Sequence, residues 1–158
     1  MEQLTKNFSW EEFSYSYTAE QKGIKNVPPA DKVESIKKNA RLLCDNILQP
    51  LRDLIGPVTI SSGYSCAELS KVLGRKPTSQ HCSGMAADII SNEYPALQVA
   101  KIIKQNFHFD QLIFERRFNK AGKRTEWVHV SYKSEHENRN EVLYSPPSGG
   151  YTRGLPSE

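Results

Sequence analysis

The stretch Thr78-Ser79-Gln80-His81-Cys82-Ser83-Gly84-Met85-Ala86-Ala87-Asp88-Ile89-Ile90 decides how this chain is read. Its second half, Met85 to Ile90, has the length and apolar content of a short buried strand, yet Asp88 stands inside it between Ala87 and Ile89. An ionised carboxylate in such a strand is costly unless a cation or several hydrogen-bond donors meet it. His129 raises the same difficulty between Val128 and Val130, because a buried imidazole needs partners for both ring nitrogens. His81 lies at the mouth of the strand that carries Asp88.

Two histidines and an aspartate, drawn from two neighbouring strands and a loop, offer the mixed nitrogen and oxygen donors that suit one zinc ion. Three protein ligands leave the fourth tetrahedral position open for water, the arrangement of a catalytic zinc. Glu126, three residues before His129, is the candidate general base for that water. Strict alternation along a strand puts residues three apart on opposite faces, so Glu126 and His129 converge only if the chain is irregular there.

Working outward, the 158 residues suffice for one domain with a hydrophobic core. An apolar share of 37% and a charged share of 25% fit a soluble globular domain, and no apolar run is long enough to insert in a membrane. The net charge of +3 is spread along the chain, without the basic stripe and interleaved aromatics that nucleic-acid binding calls for. Cys44, Cys66 and Cys82 lack C-x-x-C spacing, which argues against a disulfide framework and a cysteine-only zinc site. The N-terminus lacks the basic start and apolar core of a secretory signal, so the expected site of synthesis is the cytoplasm.

Ser9-Trp10-Glu11-Glu12 is a capping-box pattern that predicts a short helix packing Trp10 and Phe13. Val33, Ile36, Ala40, Leu43, Ile47, Leu51 and Leu54 recur at steps of three and four, predicting the main core helix, with Pro50 kinking or dividing it and Gly56-Pro57 ending it. Strands are predicted over Val58–Ser61, Met85–Ile90, Phe109–Phe114 and Glu126–Tyr132, and helices around Ala67–Val72 and Pro95–Gln105. Asn119–Lys123 predicts a hairpin turn. After Tyr132 the chain turns polar and is predicted to be a loosely packed tail, residues 133–158.

These residues resemble a known family. Ser79 to Asp88 is similar to the S-x-H-x-x-G-x-A-x-D motif of the zinc D-alanyl-D-alanine peptidases, and Glu126-Trp127-Val128-His129 to their second motif, an acid three positions ahead of a ligand histidine. Ser61-Ser62-Gly63-Tyr64 resembles their S-G-Y-R lead-in, so the likeness runs from about Phe8 to Tyr132. The family includes cell-wall carboxypeptidases, vancomycin-resistance dipeptidases and phage endolysins. The resemblance implies an α+β domain over residues 1–132, of the Hedgehog/DD-peptidase type, with a small antiparallel sheet packed against helices. It implies Zn2+ held by His81, Asp88 and His129, Glu126 as catalytic acid/base, and peptidoglycan or its peptide precursors as the partner. It also implies action at the bacterial cell wall after release, or from a virion.

The family's arginine is replaced by Ser65, which removes a bidentate cation from the place where a substrate carboxylate or scissile carbonyl is expected. Arg124 and Arg75 are the candidates to supply that charge; if neither does, its loss favours an endopeptidase, or a weakened enzyme, over a strict carboxypeptidase. Tyr64 and Trp127 are candidate groove aromatics beside Ser65 and Arg124. The alternative is a non-catalytic zinc-binding module of the same fold, a use that Hedgehog signalling domains exemplify.

Overall fold

A computed structural model describes residues 1–157. The apolar stripe at steps of three and four forms α3 (Val33–Leu43) and α4 (Gln49–Ile55), which follow α1 (Trp10–Ser14) and α2 (Tyr17–Lys22). Between α3 and α4 lies a π turn, Cys44–Leu48. It widens the helix where the Pro50 ring would otherwise press on the carbonyl four residues back, so the proline interrupts the helix without ending it. The Ser9 hydroxyl caps α1 by accepting from the Glu12 N–H at 3.1 Å, and Trp10 and Phe13 are buried, as the capping pattern predicts.

The remaining elements are β1 (Val58–Ser62), α5 (Ala67–Val72), β2 (Ala86–Ser91), α6 (Ala96–Asn106), β3 (Gln111–Phe118), β4 (Arg124–Ser131), β5 (Glu141–Ser145) and β6 (Thr152–Arg153). The strands form one sheet in the order β1-β2-β4-β3-β5-β6. Every pairing is antiparallel except β3 with β5, so the mixed α+β sheet departs from the all-antiparallel expectation at that one seam. One face carries Ile60, Ala87, Ile89, Val128, Val130, Leu112 and Phe114, all buried in a core that also takes Ile36, Ala40, Leu43, Ile47, Leu51, Val99 and Ile103 from the helices. Because side chains alternate, Asp88, His129, Trp127, Ile113 and Glu115 are directed to the other face.

The stretch after Tyr132 is not loosely packed throughout. Val142 and Tyr144 of β5 continue the core face and pack against the buried cluster, which is why a segment of polar composition joins the sheet. Asp110, just before β3, ties this stretch to the loop that holds His81. Its fully buried carboxylate accepts from Arg139 Nε and Nη2 at 2.9 and 2.7 Å, from the Arg139 N–H at 3.1 Å, and from Gln80 Nε2 at 2.8 Å. Burial alone would raise the Asp110 pKa, but these donors outweigh it and bring it down to about 2.

A carboxyl depressed in the folded state stabilises the fold above its unfolded pKa of about 4, and the contribution is lost as pH falls towards 2. In urea titrations, the stability gap between the wild type and Asp110→Asn is therefore expected to be full at pH 6 and to shrink between about pH 4 and pH 2. A gap that does not change over this range contradicts the assignment.

Candidate metal centre and active-site groove

Local structure brings the two motifs together. Ser79 caps a single 3-10 turn, Gln80–Ser83, that carries His81, and the turn ends at Gly84 with φ +76°. A Cβ there would stand 2.5 Å from the Ile36 carbonyl oxygen, so the motif glycine is needed both for its backbone conformation and for close approach to α3. Asp88 and His129 face each other across the β2–β4 ladder. A register shift between Ile60 and Ser62 sets Ser62 opposite Asp88 and leads the chain through Gly63 over His81.

Asp88 Oδ1 lies 3.1 Å from His129 Nδ1 and 3.5 Å from His81 Nε2. One donor atom from each of the three residues falls within 4.8 Å of the others. The His81 Nδ1 is 2.7 Å from the Gly63 carbonyl oxygen, which can only accept, so Nδ1 carries the proton and Nε2 presents its lone pair to the cluster. Burial would raise the Asp88 carboxyl, but the hydrogen bond from His129 and the neighbouring His81 imidazole outweigh it and hold the carboxyl below its ordinary value. Burial dominates for His81 and lowers its pKa, favouring the neutral imidazole that a metal requires. Two imidazole nitrogens and one ionised carboxylate, closely spaced and with a fixed tautomer, suit zinc.

The cluster opens into a groove of about 790 Å³ whose lining includes Arg75, Gln80, Glu115, Arg117, Trp127 and Tyr151. Arg75 reaches across it, with Nη2 2.9 Å from Ser62 Oγ and 3.3 Å from Asp88 Oδ2, and Nη1 3.2 Å from Ser65 Oγ. The guanidinium thus lies against Ser65, the position where the resemblance leads one to expect an arginine. It leaves Oδ1 of Asp88 turned to the two histidines.

Several expected site residues lie elsewhere. The irregularity that Glu126 requires is absent, because β4 stays in register with β3 from Arg124 through Val130. Glu126 therefore lies on the helix-covered face, ion-paired with Arg116 at 2.5 Å and Arg124 at 3.4 Å. Arg124 is accordingly away from the groove, with a side chain 58% exposed. Tyr64 is buried in the core, its ring 5.7 Å from that of Trp10. Ser65 is fully buried against Ser70 and meets the groove only through Arg75. Trp127 does line the groove.

Glu115, not singled out in the sequence, occupies the face that Glu126 lacks. It pairs in register with Trp127, one step along from the Ile113–His129 pair, and accepts from Trp127 Nε1 at 3.2 Å. Burial is the main influence on its carboxyl and raises the pKa, with the charge of Asp88 adding to the effect. Alternation counted from His129 to Trp127 and across to β3 is the signal that identifies it, and that count needs the strand register.

No curated protein sequence matches the chain. The family model described as Peptidase M15 matches residues 6–131, a span that holds His81, Asp88, Glu115 and His129. With most of its length matched and a His-Asp-His cluster suited to zinc, the chain belongs to the Peptidase M15 family of zinc-dependent peptidases.

Proposed function

We propose that this protein is a zinc-dependent peptidase that hydrolyses an amide bond in the peptide stem of bacterial peptidoglycan or of its precursors, acting at the cell wall. The observation that carries this reading is the convergence of His81, Asp88, His129 and Glu115 on one open groove. His81, Asp88 and His129 would hold the ion, which when bound would polarise the scissile carbonyl and make a water acidic enough to attack. Glu115 takes the proton of that water on its carboxylate and passes it to the departing amine, a role suited to a pKa raised by burial. Trp127 Nε1–H donates to one Glu115 oxygen and so orients the carboxylate for that exchange.

Arg75 takes the place of the family's arginine in this reading, bringing the charge lost at Ser65 back from the loop before the 3-10 turn. Arg75→Ala is expected to lower kcat/KM by about 10- to 100-fold, the range found when a group supporting a metal ligand is removed. Arg75→Lys should recover only part, because one ammonium cannot span Ser62, Ser65 and Asp88 as the planar fork does. Steady-state kinetics on one soluble stem peptide decides this, and equal rates for Arg75→Ala and the wild type would refute it.

The test of the function is mass spectrometry of fragments released from purified peptidoglycan, with and without a chelator. Chelator-sensitive release of terminal alanine identifies a carboxypeptidase, and chelator-sensitive cleavage within the stem or cross-link identifies an endopeptidase. Zinc-loaded protein that releases nothing from walls of several chemistries overturns the proposal in favour of a non-catalytic module.

A further inference from the structure

We infer that β5, which lies beyond the residues matched by the family model, is a positioning element for the groove: Ser145 fixes Arg117, and Arg117 fixes Glu115. This inference rests on the reading of Glu115 as the proton-transferring group. The register of the one parallel seam sets Ser145 directly opposite Glu115. From there the Ser145 carbonyl oxygen accepts from Arg117 Nη1 at 3.0 Å, and its hydroxyl oxygen accepts from Nη2 at 2.9 Å. Nη1 also donates to the Arg116 carbonyl at 2.7 Å. The guanidinium so fixed lies 5.9 Å from the Trp127 ring centroid and brings Nη2 within 3.6 Å of Glu115 Oε1.

Trp127 Nε1 holds Oε2 of the same carboxylate at 3.2 Å, so its two oxygens are fixed from two strands, Oε2 from β4 and Oε1 through β5. An arginine at the rim of a sheet has a long, flexible stem, and this one remains 41% exposed. The backbone and side-chain oxygens of Ser145, itself 2% exposed, together with the Arg116 and Pro146 carbonyls, keep it from swinging into water. Ser145 and Arg117 act through Glu115, so they are positioning residues.

The test uses the full zinc-loaded chain and muropeptides prepared from purified peptidoglycan. Arg117→Ala is expected to lower kcat by about 10- to 100-fold with KM within about twofold, since it loosens a group needed for the chemical step. Ser145→Ala, which removes one of the two Ser145 contacts, should lower kcat about 5-fold, and Ser145→Thr should restore it by keeping the hydroxyl. Both alanine variants should retain one zinc per chain and the wild-type melting temperature. They should also make Trp127 more accessible to acrylamide quenching, with or without zinc, against a constant background from buried Trp10.

An unchanged kcat in Arg117→Ala overturns the inference. So does a raised KM at constant kcat, which would make Arg117 a substrate contact, or an effect of Arg117→Ala that Ser145→Ala does not share. Glu115→Gln separates the two levels. If that variant still turns over, the reading of Glu115 itself fails; if it is inactive while Arg117→Ala is normal, only the brace fails.

Discussion

Glu115→Gln is expected to lower turnover by about 10²- to 10⁴-fold, the span attributable to a positioned general acid/base, while zinc content and melting temperature stay near those of the wild type. Glutamine keeps the shape of the side chain and can still accept from Trp127, but it cannot take a proton at neutral pH. Glu126→Gln, one face away, should leave turnover within about twofold. Its ion pairs with Arg116 and Arg124 are worth about 1 kcal/mol at most in a partly solvated setting. Both variants are measured on the same muropeptide with metal analysis in parallel. The opposite order of effects would return the proton-transfer role to the glutamate three places before His129 and would require β4 to bulge when substrate binds.

The largest loss of stability is expected from Gly63→Ala. A Cβ on Gly63 would stand 2.1 Å from the Phe13 carbonyl oxygen and 3.0 Å from its carbon, contacts with backbone that no rotamer change can relieve. The same region is bound to α1 by the Tyr64 N–H, which donates to the Phe13 carbonyl at 2.9 Å. Either that bond opens or the Ser62–Ser65 loop lifts, and the cost should reach about 3 kcal/mol or more, at the upper end for overpacking. A lifted loop also carries away the Gly63 carbonyl that fixes the His81 tautomer, so zinc affinity should fall about 10- to 100-fold. Urea unfolding of the metal-free protein and competition with a chromogenic chelator measure the two losses separately. Loss of stability at full zinc affinity would mean that His81 is oriented without Gly63.

Two of the candidate metal ligands, Asp88 and His129, can be read from the sequence because each is a local anomaly, and His81 follows from its place at the mouth of the strand that carries Asp88. A carboxylate between Ala87 and Ile89 or an imidazole between Val128 and Val130 must be compensated wherever the strands run. Glu115 carries no such mark, since a glutamate between Phe114 and Arg116 resembles the polar end of any strand. Only the register of β3 against β4 shows which face it takes. Alternation already weighed against Glu126, and in the absence of a bulge it holds. Tyr64 was legible as an aromatic beside a motif but not as a core residue, because its burial depends on Trp10 of α1, a helix well separated from it in sequence. The same is true of Arg75: it meets Ser65 and Asp88 through loop geometry that residue spacing does not encode. β5 leaves little trace in the sequence because its apolar positions, Val142 and Tyr144, are few and lie in a polar stretch, and a parallel partner distant in sequence gives no hairpin signal.

The strand order also governs when the site can exist during synthesis. β2 carries Asp88 but has β1 and β4 as neighbours, and β4, with the last candidate ligand His129, lies between β2 and β3. A growing chain that has passed Asp88 holds two of the three candidate ligands, and the cluster is complete only once His129 pairs opposite Asp88. Ser145 reaches Arg117 later still. The groove is therefore completed by its late, long-range strand pairings, the kind that folds most slowly.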